Sequence, residues 1–137
     1  MKVINQVHPG QDQAMAFFGG AEDGPFVMVN LLKFRDKAVY PDGSDADLPG
    51  FQAFLRYGKA VGDMIRAVGG RQGYAGPVTG LMLGEVEDLW DMVALAEYPS
   101  LAAMRAMVEN PAYLEIARHR TAGLAGQLNI KTRGTLG

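Results

Sequence analysis

The nine residues Phe26–Phe34, FVMVNLLKF, form the longest run of this chain with almost no polar side chain. Gly24-Pro25 precedes the run and a charged segment, Arg35-Asp36-Lys37, follows it, which is typical of a buried central strand rather than a helix. Side chains alternate along a strand, so Asn30 shares its face with large apolar residues and Lys33 lies on the opposite face. An amide on an apolar face needs a hydrogen-bonding partner.

Bulk properties narrow the classes of function. A chain of 137 residues forms one domain that can bury a sizeable core, and the lack of cysteine excludes disulfides, thiol nucleophiles and thiolate metal sites. The net charge of −2 gives no electrostatic signature of a nucleic-acid partner or an anionic membrane. No apolar run approaches the ~18 residues that a membrane span needs, and we expect a cytoplasmic protein.

The remaining elements are predicted from periodicity and from turn residues. Residues 1–24 are interpreted as an N-terminal extension, and residues 25–137 as a single domain. Phe51–Val68 has an apolar side that includes Phe51, Phe54 and Leu55, which predicts an amphipathic helix. The other predicted elements are an antiparallel strand pair within 73–85 and 90–98, helices over 101–108 and 111–123, and a strand at 127–132.

Three polar residues are predicted to cap these helices: Asp47, Ser100 and Asn110. Pro111 suits the first position of a helix. Gly123 is a natural terminator, although Leu124–Gly126 could prolong the helix irregularly.

The order strand, helix, strand, strand, helix, strand predicts an α+β protein with the ferredoxin-like βαββαβ plan and a four-stranded antiparallel sheet. Both helical segments must cover one face of that sheet, which leaves an apolar face without cover. We therefore expect a homodimer in which two sheets pack face to face, as in a dimeric α+β barrel.

Four segments carry a resemblance to a known family: VNLLKF at 29–34, FLRYGK at 54–59, WDMVALAEYPS at 90–100 and NPAYLEIARHRTAGLAGQLNI at 110–130. In this order they resemble the domain-of-unknown-function 1330 family of the dimeric α+β barrel superfamily. The resemblance implies the same ferredoxin-like protomer and face-to-face dimer. It implies no particular activity, because the superfamily supports several chemistries on one fold.

Five residues are candidates for lining a small-molecule site between the sheet and its helices. Asn30 either ties neighbouring elements together or donates a hydrogen bond to a ligand oxygen. His119 is either a surface residue favoured by the helix dipole or a general base, and Arg120 would suit a carboxylate. Tyr57 and Trp90 are aromatic candidates for the lining, each equally compatible with a core position.

Other charged residues are given structural roles. Asp91 and Glu97 share a strand face about 20 Å apart, too far for paired-carboxylate catalysis at ~3.3 Å per residue, and we expect them to pair with basic residues across the dimer. Neither the two histidines nor the acidic loop Asp42–Asp47 has the spacing of a metal site, so no metal or cofactor is predicted.

Two classes of function stay open. The first is a homodimeric small-molecule-binding protein, with the further possibility of cofactor-independent oxidation or isomerisation of a small carbonyl compound or aromatic acid. In that case His119 would be the base, Asn30 would polarise an oxygen and Arg120 would hold an anionic group. The second is a non-catalytic ligand-binding or scaffold dimer, in which protein groups satisfy Asn30 and His119.

Overall fold

The computed structural model describes all residues, Met1–Gly137. Its elements, in chain order, are α1 (Gln11–Phe18), β1 (Phe26–Phe34), α2 (Gly50–Ala67), β2 (Arg71–Pro77), β3 (Met92–Tyr98), α3 (Leu101–Val108), α4 (Pro111–Gly123) and β4 (Leu124–Arg133). None of the helices has the length and apolar character that a membrane crossing requires.

The strands form one four-stranded sheet in the order β2-β3-β1-β4, and every neighbouring pair is antiparallel. β1 lies between β3 and β4, and its Asn30 is in register with Ala94 on one side and Asn129 on the other. The ferredoxin-like α+β plan predicted from the order of elements is therefore confirmed. The most apolar run of the sequence is a central strand because both of its edges are paired.

One face of the sheet carries the core. Phe26 and Met28 of β1 pack with Val61 and Ile65 of α2 in the largest buried cluster, and α3 contributes Met104. Leu32 packs in a smaller cluster with residues of α2 and β4. Asn30 belongs to this same face by alternation, so it points toward the helices.

The apolar side of α2 differs in part from the prediction. Phe54 is buried as expected, but Phe51 and Leu55 are 44% and 39% exposed. The smaller residues Ala53 and Val61 are buried instead. Helix periodicity locates an apolar stripe without determining which of its edges meets the sheet.

α2 and α4 approach each other closely where α2 begins and α4 ends. A Cβ on Gly123 would collide with the carbonyl oxygen of Gly50 and lie 2.9 Å from the amide nitrogen of Phe54. Glycine is required here because the two backbones are in contact.

Two of the three predicted caps are confirmed. The side chains of Ser100 and Asn110 accept hydrogen bonds from the amides of Ala103 and Ala112, at 3.0 and 2.9 Å. The prediction for Asp47 was wrong, since α2 begins after Pro49 without a side-chain cap. The carboxylate of Asp47 contacts Lys37 instead.

Two boundaries also differ from the prediction. β4 begins at Leu124, directly after α4, so Leu124–Gly126 extend the strand and not the helix. Leu81, Met82 and Leu83 lie exposed in the connection between β2 and β3, because the second strand ends at Pro77.

The other face of the sheet has no helix over it. Register places the following apolar side chains on it, each half-buried or exposed: Val29, Leu31, Val93, Leu95, Leu128 and Ile130. The α1 residues Phe17 and Phe18 pack against the core on the helical side and leave this face open.

Candidate functional site

Asn30 is the first member of a hydrogen-bonded chain between the sheet and α4. Its amide nitrogen donates to the carbonyl oxygens of Ala94 at 3.1 Å and Met28 at 3.5 Å. Its oxygen accepts from Nε2 of Gln127 at 2.8 Å, and the oxygen of Gln127 accepts from Nη2 of Arg120 at 2.5 Å. Asn30 thus positions Gln127, and Gln127 positions the guanidinium.

Arg120 ends this chain as a half-buried cation without a counter-ion. No carboxylate lies within the 4.0 Å that defines an ion pair in this structure, although ten such pairs form elsewhere. A guanidinium has five N–H donors, and Gln127 takes up one of them. The remaining donors are available for an anion, which arginine binds best as a bidentate carboxylate or phosphate.

Two phenols meet between α2 and α4. The hydroxyl groups of Tyr57 on α2 and Tyr113 on α4 are 3.1 Å apart, and their rings meet edge to face. Burial raises the pKa of Tyr57 well above its ordinary value, the neighbouring Tyr113 adds to this, and Arg120 opposes it. The Tyr57 hydroxyl therefore stays protonated and can donate or accept a hydrogen bond.

The space around these polar groups is bordered by apolar residues that the helices do not fully cover. Phe34, Met92 and Ala94 surround the buried cluster of Leu32, Phe54 and Leu124, and all three are only half-buried. Asn30, Tyr57 and Arg120 also keep part of their surface accessible although they lie between sheet and helices. We use the name recess for this region between the sheet and the helices, where Asn30, Tyr57 and Arg120 lie near the apolar cluster of Leu32, Phe54 and Leu124 and where Arg120 forms no ion pair.

His119 lies in a different cluster from Asn30 and Arg120. Its Nδ1 is 2.6 Å from the hydroxyl of Tyr40, a buried residue of the connection between β1 and α2. Arg56 donates to the same hydroxyl at 3.2 Å and pairs with Asp45 at 2.9 Å. Burial, Arg118 and Arg56 lower the pKa of His119, so the neutral imidazole is favoured.

Trp90 is also apart from the recess polar groups. Its indole nitrogen donates to the side-chain oxygen of Asn5 in the N-terminal extension at 2.8 Å. The structure therefore brings Asn30, Arg120 and Tyr57 to one place, while His119 contacts Tyr40 and Trp90 contacts Asn5.

Sequence reasoning missed two participants, Gln127 and Tyr40. Gln127 was assigned only to a strand, although alternation along β4 places it on the same face as Leu32 and so toward the helices. Tyr40 precedes Pro41 in a connection whose composition suggested an exposed loop. No periodic signal identifies a loop residue that folds back onto two helices.

The acidic residues of β3 and its approach have basic partners within the chain, and the expected pairing across a dimer stays a prediction. Asp91 accepts from Lys33 at 3.3 Å and from the backbone amide of Phe34 at 2.9 Å. Glu97 accepts from Arg71 at 3.3 Å and from the amide of Leu136 at 2.7 Å. Lys33 also contacts Asp88 at 3.0 Å, and these ion pairs raise its pKa.

Two cavities, of about 310 and 300 Å³, lie elsewhere in the protein and include none of Asn30, Tyr57 and Arg120. The first is apolar and lies between α2, α3 and the start of α4, where its polar members Asp63 and Asn110 are engaged by Arg66 and by the α4 cap. The second lies on the loop around Tyr40. Neither presents a free charged group toward its interior, and no three metal-ligating side chains converge anywhere in the protein.

The fold defines a class, a ferredoxin-like α+β domain with a four-stranded antiparallel sheet. Residues 47–131 match the family described as domain of unknown function (DUF1330), and this protein belongs to that family. No curated protein matches the chain.

The chain is also similar to solved structures. The chain is similar to the RPA0582 protein of unknown function from Rhodopseudomonas palustris, with 30% identity over 98% of this chain and 100% of that one and a TM-score of 0.84. The methylated RPA0582 protein gives 30% identity over 96% of both chains and a TM-score of 0.87. The Arabidopsis thaliana protein At3g17210 shares the fold at 14% identity, covering 82% of this chain and 96% of that one, with a TM-score of 0.52.

Proposed function

We propose that this protein binds a small organic acid, with a carbonyl or aromatic body, in the recess between the sheet and α2 and α4. The observation that carries the proposal is the half-buried guanidinium of Arg120, which Gln127 orients and no carboxylate neutralises. A ligand carboxylate would supply the missing counter-ion. The apolar body would lie against Phe34 and Met92, within reach of the Tyr57 phenol.

The catalytic form of the hypothesis stays a prediction. The neutral form of His119 is favoured, as a general base requires, but its Nδ1 is hydrogen-bonded to Tyr40, away from Asn30 and Arg120. Both amide hydrogens of Asn30 already point to backbone carbonyls. We therefore propose binding as the primary function, with Asn30 as a positioning residue.

The binding proposal is tested with benzoate and its uncharged analogue benzamide. Hydrogen bonds to a charged group contribute about 1.5–3 kcal/mol, which corresponds to roughly tenfold to a hundredfold tighter binding of benzoate. Arg120→Gln should abolish this preference. Arg118→Gln is the matched control, because Arg118 lies on the same helix but is exposed and paired with Glu115. Equal binding of both probes, or none, would favour the scaffold alternative.

We further propose that two copies pack their open sheet faces together. Six apolar side chains on that face are covered by no helix of their own chain, and Ile130 among them is 45% exposed. A second copy offers an equivalent apolar face, and the family resemblance implies the same arrangement.

The cytoplasmic location expected from the sequence also stays a prediction.

Sedimentation at micromolar concentration tests the dimer. Ile130→Glu should shift the protein toward the monomer, because it places a charge in the apolar face. Leu114→Glu alters a residue of α4 that is 64% exposed and should leave the sedimentation coefficient unchanged. A monomeric wild-type protein would contradict the proposal.

A further inference from the structure

The N-terminal residues Asn5–His8 contact residues that border the candidate recess. Val7, the one half-buried member of this segment, packs against the cluster of Leu32, Phe54 and Leu124 that borders the recess. The backbone amide of Gln6 donates to the carbonyl oxygen of Gln127 at 3.2 Å. Gln127 is the residue that orients Arg120, so the segment contacts the site through its central residue.

Both ends of the segment are tied to different parts of the fold. At one end Asn5 accepts from the indole of Trp90 at 2.8 Å and lies over Gly126, where a Cβ would come within 2.7 Å of the Cβ of Asn5. At the other end His8 is 3.5 Å from the hydroxyl of Thr121 on α4. The segment therefore runs from the approach to β3, past β4, to the C-terminal turn of α4.

Few interactions hold this segment in place. It forms one isolated backbone bridge, Gln6 to Gln127, whereas β4 pairs with β1 along nearly its whole length. Asn5, Gln6 and His8 are exposed. A segment with one backbone bond and one apolar anchor opens at a much lower free energy than the strands beneath it.

We infer that residues 5–8 form a removable strap that closes over the ligand in the recess, with Val7 as its anchor and Asn5–Trp90 as its latch. The inference rests on the proposed ligand site. A small acid enters when the strap is released and is retained when the strap is closed, so ligand binding and strap closure stabilise each other.

Two probes report directly on the strap. Trp90 is the single tryptophan of the chain, so its fluorescence should change when Asn5→Ala removes the latch. Hydrogen exchange of the Gln6 amide reports on the bond to Gln127. If benzoate binds only beneath a closed strap, benzoate at ten times its Kd should slow this exchange about tenfold.

Val7→Ala should weaken benzoate binding roughly fivefold and reduce the protection of the Gln6 amide, since it removes apolar contact area from the anchor. Val3→Ala is the matched control, because Val3 is 43% exposed and lies outside the strap. If Val7→Ala lowers overall stability, Asn5→Ala gives the same test at an exposed position.

The outcomes separate the two proposals. Benzoate binding that depends on Arg120 but leaves Gln6 exchange and Trp90 fluorescence unchanged would overturn the strap and retain the site. Absence of benzoate binding to the wild-type protein would overturn both. Slower Gln6 exchange with benzoate, lost in Val7→Ala and kept in Val3→Ala, would support the strap.

Discussion

The hydroxyl of Tyr40 lies 2.6 Å from Nδ1 of His119, which joins the connection after β1 to the last turns of α4. Because the imidazole is partly withdrawn from water and two arginines lie near it, the neutral form is favoured. In the tautomer that carries its proton on Nε2, Nδ1 accepts a hydrogen bond from the Tyr40 hydroxyl.

This contact predicts a pH dependence of stability. The pKa of His119 is lowered from its ordinary 6.5, so the unfolded state binds more protons than the folded state around and below that pH. The free energy of unfolding should therefore fall as pH decreases through 6.5 toward the folded-state pKa. His119→Gln should flatten this part of a profile measured by urea unfolding. An unchanged slope in His119→Gln would contradict the assignment.

The contact between Gly50 and Gly123 predicts opposite effects of the same substitution at two helical glycines. Gly123→Ala should destabilise the protein by about 1–3 kcal/mol or more, because its methyl group collides with the backbone of α2. Gly58→Ala should stabilise it by about 0.5–1 kcal/mol, because Gly58 lies inside α2 with nothing within 4 Å of the added Cβ. Thermal unfolding of both variants measures the difference. A neutral Gly123→Ala would show that the helices can separate at low cost.

The hydrogen bonds that link Asn30 through Gln127 to Arg120 predict that an apolar side chain at position 30 destabilises the folded protein. Asn30→Leu would leave the Nε2 of Gln127, a residue only 8% exposed, without its acceptor. The expected loss is about 1–3 kcal/mol in the free energy of unfolding. Asn129→Leu, at the register position next to Asn30 but exposed, should change stability by less than about 0.5 kcal/mol. Equal effects of the two substitutions would argue against a structural role for the Asn30 amide.

The cap of α3 predicts a moderate and local effect. Ser100→Ala removes the acceptor for the amide of Ala103 and should cost about 1 kcal/mol, measured by chemical unfolding. Glu22 accepts from the neighbouring amides of Leu101 and Ala102 at 2.8 and 3.2 Å and remains in place. The double variant Ser100→Ala, Glu22→Gln should therefore lose more of the free energy of unfolding than Ser100→Ala alone. A double variant no less stable than the single one would exclude a role for Glu22 at this helix end.

The sequence by itself determined the elements whose signals are local. The apolar run Phe26–Phe34 defined the central strand, and strand alternation assigned Asn30 and Lys33 to opposite faces. Ser100 and Asn110 marked the starts of α3 and α4. The order of these elements then defined the fold, because few arrangements bury one face of a four-stranded sheet beneath helices.

Only the tertiary structure decided which candidate residues meet. His119 and Arg120 are adjacent in sequence, but successive residues on a helix point about 100° apart, so His119 turns to Tyr40 and Arg120 to Gln127. Tyr40 lies 79 positions before His119 in the sequence, and Gln127 lies 7 positions after Arg120. Such contacts depend on how α4 is rotated against its neighbours, which the packing of Gly123 against Gly50 sets and no local pattern encodes.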